Sequence, residues 1–165
     1  YITVKSQRCT CCLKLGITFK DKNRAFQEII RELYLLRDYN KKNENNQINL
    51  LLIAEGSLTL VALEHFLRMF LNEYSNNQTL FNLLENSIKK GINIGAINNQ
   101  EGIKVLTSLR NSIMHGNFEQ SAKDNNCYSV NEYFKKYYIA EIEFVFNLLE
   151  DIVSQVDINT GSIVK

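Results

Sequence analysis

The chain has 165 residues, 45% of them hydrophobic, which is enough for one domain with a real core and too short for two ordinary ones. Nineteen basic and eighteen acidic residues leave a formal net charge of +1. That balance excludes the basic excess of a constitutive DNA-binding protein, but not brief local contact with RNA.

Residues 1–20 show no helical period; "YITVKSQ" alternates weakly and "RCTCCLKLG" follows. From Asp21 the pattern becomes helical: Phe26, Ile29, Ile30, Leu33, Leu36 and, less strictly, Leu35 recur at helical spacing, with Asp21 or Asn23 as N-cap. The asparagine-rich "NKKNENNQ" predicts a loop. A longer helix over about residues 47–73 is apolar on nearly every side, which marks it as central to a bundle or buried in an oligomer. Its run is broken by Glu55, Glu64, His65 and Arg68, so it is expected to be a buried helix of a soluble protein and not a membrane span.

A shorter helix is predicted at about 79–90, with Leu80, Leu83, Leu84 and Ile88 on one side. The glycine-punctuated "GINIGAINNQ" connects it to a helix at about 100–114. The polar "GNFEQSAKDNNCYS" reads as a loop, and the last helix covers about 130–156. No proline interrupts these segments and no repeat is visible. The sum is an all-α fold, an antiparallel bundle of four to five helices over 21–157, with an irregular or short-stranded N-terminal extension at 1–20 and a C-terminal tail at 158–165.

The helix at 100–114 carries the chemistry. Counting about 100° per residue from Ile103, the residues Val105, Leu106, Leu109 and Ile113 fall between roughly 200° and 300°, a core stripe. Arg110 falls near 340°, at the edge of that stripe, while Asn111 and His115 lie near 80° and 120°. An arginine there needs a partner, which is a carboxylate on the central helix (Glu55 or Glu64), a second subunit or a phosphate. His115 stands where Gly116 can close the helix in a left-handed turn, beside the negative end of the helix dipole. A C-terminal histidine and a rim arginine occur often for stability alone, so spacing by itself favours a stabilising helix end over catalysis.

"LRNSIMHG" resembles the R-x4-6-H signature of HEPN domains, in which a polar residue commonly follows the arginine. Arg110 matches the arginine, Asn111 the polar position and His115 the histidine. The long apolar helix upstream and the terminal helix after a loop extend the resemblance over about 21–156. The resemblance implies a helical bundle that dimerises with the motif at its interface. It also implies a metal-independent endoribonuclease of a prokaryotic defence setting: toxin–antitoxin, abortive-infection or CRISPR-associated. The expected assignments are catalytic roles for Arg110, Asn111 and His115, Glu55 as a supporting carboxylate holding Arg110, no metal and no cofactor. RNA is the expected substrate, a second copy and an antitoxin or other defence protein the expected partners, and the cytoplasm the expected location, with no membrane association. Toxins that an antitoxin nucleotidylates carry a tyrosine two residues after the histidine. Asn117 stands there, followed by Phe118, which argues against that subtype. The alternative is a catalytically inactive HEPN module that binds a partner protein or a nucleotide.

Other candidates read more plainly. Cys9, Cys11 and Cys12, with Cys127 far along the chain, lack paired zinc-knuckle spacing and are expected to be reduced thiols. His65 is expected to be a packing residue, and Glu64 with Arg68 an i,i+4 ion pair. In "NEYFKKYYIAE" most aromatics fit the core, whereas Lys135 and Lys136 are candidate phosphate contacts.

Overall fold

The computed structural model describes residues 19–46, 49–75, 77–95 and 100–164. The N-terminal segment with Cys9, Cys11 and Cys12 lies outside them. The described residues are all-α. Helix α1 spans Phe19–Lys42, α2 Asn49–Leu71, α3 Leu80–Lys89, α4 Gln100–His115 and α5 Phe118–Asp124. The last helical stretch is α6 Val130–Tyr133, a π-helical segment Phe134–Tyr138 and α7 Ile139–Ser154.

On α1 Phe26, Ile30, Leu33, Arg37 and Asn40 are buried at alternating steps of four and three residues along one stripe, with Gln27 buried beside Phe26. Its first half is apolar and its last two members are polar, so the upper end of the α1–α2 seam must be satisfied by hydrogen bonds. Glu55 on α2 supplies them. Arg37 Nη1 donates to Glu55 Oε1 at 2.8 Å and Asn40 Nδ2 to Glu55 Oε2 at 2.8 Å. Arg37 Nη2 reaches Glu143 Oε1 of α7 at 2.7 Å, and the guanidinium lies 3.6 Å above the Phe146 ring. One buried arginine thus ties α1, α2 and α7 together.

Helix α2 is the one described helix long and apolar enough to cross a membrane. In this fold it is the central helix, packing on α1, α3, α4 and α7, with Leu52, Ala62, Leu63, Phe66 and Leu67 in the core. Gly56 marks where it is crossed most closely. A Cβ there would overlap the Tyr138 hydroxyl and stand 3.1 Å from Ile113 Cδ1. The Tyr138 ring is held in turn by Phe134 at 4.5 Å and Phe118 at 5.9 Å between centroids. Gly56→Ala gains about 1 kcal/mol of helix propensity, but overpacking against a locked ring costs up to about 3 kcal/mol. A net loss of about 1–2 kcal/mol is expected in urea denaturation; a stabilised variant would show that Tyr138 can withdraw.

His65, also on α2, stacks on Phe26 with centroids 6.3 Å apart and 2° between planes, as expected of a packing residue. Its Nε2 is buried with no hydrogen-bond partner. Burial lowers its pKa below the ordinary 6.5, against the opposing effect of a backbone hydrogen bond at Lys22. The unfolded chain therefore takes up this proton first as pH falls, so the stability His65 contributes is complete above about pH 6.5 and drains away from there toward the folded-state pKa. Denaturation midpoints at pH 7.5 and 5.5 should differ more for the wild type than for His65→Phe. Equal differences would remove His65 as the cause.

Four local features depart from the sequence-based expectations. Helix α1 starts at Phe19, so Asp21 and Asn23 lie inside it and neither is its N-cap; Asn23 Nδ2 instead donates to the Ile158 carbonyl at 3.0 Å. The polar stretch after Gly116 is not all loop, because α5 forms within it, anchored by Phe118 on Phe134 and by buried Ala122. The final helix is interrupted: the Ile139 N–H bonds back five residues to the Phe134 carbonyl, and the inserted residue shifts the helix's facing by one position. The tail turns back on the bundle, with an antiparallel bridge between Val156 and Ile163 and a bond from Val164 N to the Gln155 carbonyl at 2.8 Å. Glu64 and Arg68 do pair, at 2.8 Å, and Arg68 also bonds the carbonyls of Ser75 and Gln78, closing the turn after α2.

Candidate functional site

Helix α4 runs unbroken to His115 and stops at Gly116, whose φ of +60° is the left-handed conformation that glycine adopts without strain. Asn111 and His115 are exposed, and Arg110 is half-buried. None of the three makes a hydrogen bond or ion pair among the described residues. Because the helix is regular, Arg110 and His115 stay about 140° apart around its axis, so one protomer does not bring them together. Asn111 shares the His115 side of the helix without bonding to it.

Glu55 does not hold Arg110. Both its oxygens are taken by Arg37 and Asn40 of α1, as described above, and Glu64 is engaged by Arg68. Arg110 is thus an unspent cation. Its side of α4 also carries Ile103, 42% exposed, and Met114, 64% exposed. The neighbouring α2, which meets α4 through Gly56 and Ile113, exposes Leu50 at 70% and Val61 at 51%. Exposed apolar residues beside an unpaired arginine, here Ile103 and Met114 on the Arg110 side of α4, are the composition of a surface made to be covered.

The opposite side of α4 is organised by hydrogen bonds that sequence reasoning missed. Ser108 Oγ donates to Glu141 Oε1 at 3.1 Å and Tyr133 Oη to Glu141 Oε2 at 3.1 Å. The Ser112 hydroxyl lies 3.4 Å from Tyr133 Oη and 2.6 Å from Ser121 Oγ, which in turn bonds the Asn117 carbonyl at 3.2 Å. This chain of hydroxyls joins α4, α5, α6 and α7 and clamps α5 under the last turn of α4, fixing the turn that carries His115. Glu141 has no ion-pair partner among the described residues. Burial raises its pKa above the ordinary 4.5, opposed by the Ser108 and Tyr133 bonds, and burial likewise raises that of Tyr133. The signal was faint in the sequence: Ser108 and Ser112, four apart, face the final helix, but nothing local names Glu141 as their partner.

No family model, curated protein or solved structure matches the chain. The site therefore rests on its own geometry.

The remaining candidates are dispersed. Lys135 and Lys136 are exposed on the π-helical segment, with Lys136 bound to Glu132. Tyr133, Phe134 and Tyr138 are core residues and Tyr137 is 39% exposed. Cys127 is a free, half-buried thiol. Among the described residues no three His, Cys, Asp or Glu side chains gather closely enough to hold a metal ion.

Proposed function

We propose that this protein is a HEPN-like, metal-independent endoribonuclease that acts as a homodimer in the cytoplasm, in a prokaryotic defence or toxin system. The observation that carries the reading is the set of unspent groups at the end of α4: an arginine without a counter-ion, an asparagine and an exposed histidine, held on a rigid helix by the hydroxyl chain beneath it. Cleaving RNA without a metal requires a base for the 2′-hydroxyl, positive charge for the crowded phosphate and an acid for the leaving 5′-oxygen. Histidine can serve as acid or base near neutral pH, and the guanidinium fork fits phosphate.

In this mechanism one His115 removes the 2′-hydroxyl proton as that oxygen attacks the adjacent phosphorus. The Arg110 side chains carry the charge of the five-coordinate phosphate, and the second His115 protonates the departing 5′-oxygen. The products are a 2′,3′-cyclic phosphate and a free 5′-hydroxyl. Asn111 orients His115 or the substrate, and Lys135 and Lys136 contact flanking phosphates. The 140° separation of Arg110 and His115 within a protomer makes the dimer part of the mechanism. The exposed Ile103 and Met114 on the Arg110 side of α4 are part of the surface that a two-fold partner would cover.

That same separation favours a second reading, a silent module whose Arg110 face binds a partner protein, including an antitoxin, or a nucleotide. Incubating purified protein with cellular RNA in excess chelator distinguishes the two. Cleavage that requires Arg110 and His115 supports the enzyme, and its absence from a dimeric wild type leaves the module.

A further inference from the structure

An open groove of about 450 Å³ lies between α4, the π-helical segment and α7, lined by Lys104, Ser108, Asn125, Tyr137, Glu141 and Phe144 among others. Its size is within the range of small-molecule sites, about 300–1,000 Å³. Glu141 is anomalous there. The carboxylate is half-buried with no cation beside it among the described residues, and it receives one bond to each oxygen, both from neutral hydroxyls at 3.1 Å. A carboxylate can accept about four bonds, so roughly half its capacity is unused, in a groove whose other walls are aromatic and aliphatic side chains, Ser108, Asn125 and one lysine.

We propose that this groove is a guanine-binding subsite, with Glu141 accepting the base's N1–H and N2–H donors and Tyr137 providing a stacking surface. Guanine is the one RNA base with two adjacent N–H donors on its pairing edge, matching the two oxygens of a carboxylate. Adenine, cytosine and uracil each set a ring nitrogen or carbonyl acceptor against it, which a carboxylate repels. The flat apolar walls of Tyr137 and Phe144 suit a base better than a flexible amine. Lys104 at the groove edge suits the attached phosphate. Tyr137 is 39% exposed on the π-helical segment, while Tyr133 and Tyr138 are in the core.

The groove shares a side of α4 with His115. Lys104, Ser108 and His115 fall within about 40° of one another around the axis, and Ser108 is seven residues, roughly 10 Å, from His115. A base held by Glu141 therefore leaves a neighbouring phosphate within reach of the α4 end. The substrate so named, RNA containing guanosine near the cleaved bond, rests on the ribonuclease reading above; the base specificity of the groove does not.

Calorimetric titration of the full chain with 3′-GMP, 3′-AMP, 3′-CMP and 3′-UMP tests it, alongside mapping of cleaved ends on RNA of known sequence. The expected result is that 3′-GMP binds roughly ten- to a hundred-fold tighter than the other three. Glu141→Gln should erase that difference, and Tyr137→Ala should weaken all four. Equal binding of the four nucleotides, no binding, or a preference that survives in folded Glu141→Gln overturns the subsite. A guanine preference without cleavage retains the subsite and removes the ribonuclease. His115-dependent cleavage with no guanine preference does the reverse.

Discussion

Replacing His115 by alanine is expected to lower chelator-resistant RNA cleavage by about 10²–10⁴-fold, the usual worth of a positioned acid or base. A loss of about 10²–10³-fold is expected for Arg110→Ala, the usual cost of removing one charge-stabilising group at a reacting centre. Neither substitution should affect folding appreciably: His115 is exposed, and neither side chain bonds to anything among the described residues, so denaturation midpoints should stay near that of the wild type. A mixed dimer of one Arg110→Ala and one His115→Ala protomer adds a sharper arm. Because the one composite centre uses the His115 of both protomers, one as base and one as acid, the mixed dimer, which keeps one histidine and one arginine, should stay far below wild-type activity. Full cleavage by Arg110→Ala or His115→Ala homodimers would remove the catalytic role of that residue.

The largest effect on stability is expected at the Glu55 network of the central helix. Arg37→Met leaves the Glu55 carboxylate, 6% exposed, with only the Asn40 amide for company. Breaking a buried ion pair in this way costs about 3–5 kcal/mol. The pair itself is worth much less than that, since desolvating both charges offsets most of their attraction. The double variant Arg37→Met/Glu55→Leu should therefore lie closer to the wild type than Arg37→Met alone. Urea denaturation of the singles and the double reads this directly. If the double is as unstable as the sum of the singles, the network acts through packing of Arg37 on Phe146 and not through charge. Were Arg110 the true partner of Glu55, Arg110→Ala would show the large loss instead, so the two experiments check each other.

The two predictions touch the same error in the sequence-based picture. Glu55 stands out in an apolar run, and that a buried carboxylate there needs a cation follows from elementary electrostatics. Which cation it takes does not. Arg37 lies on the α1 stripe that begins with Phe26, and it reaches Glu55 only because α1 packs along α2 in a register set by the apolar residues below. Arg110, assigned to Glu55 from sequence, makes no bond to it, since both carboxylate oxygens are taken by Arg37 and Asn40.

Local pattern was enough for the helices with strong periodicity. Long amphipathic or wholly apolar segments without proline have few alternatives to helix, and α1 to α4 lie where the spacing put them to within a few residues. It failed for α5, a helix of seven residues with two anchoring side chains. Phe118 and Ala122, four apart after Gly116, were the available signal, and only the ring stack on Phe134 makes them sufficient. It failed also for the π-helical segment, because a five-residue bonding step leaves the composition of a helix unchanged.

By itself the sequence determined that the chain is helical, that α2 is central, and that an arginine, an asparagine and a histidine sit at the end of one helix where glycine stops it. These follow from short-range physics: periodicity, dipole and backbone freedom act within a turn or two. The tertiary structure alone decided that Glu55 belongs to Arg37, that Arg110 is left without a partner, and that Glu141 meets Ser108 and Tyr133 beside a groove. Those outcomes depend on which side chains meet across 18, 33 or 8 residues of chain. Packing of whole helices sets such meetings, and no local preference encodes them.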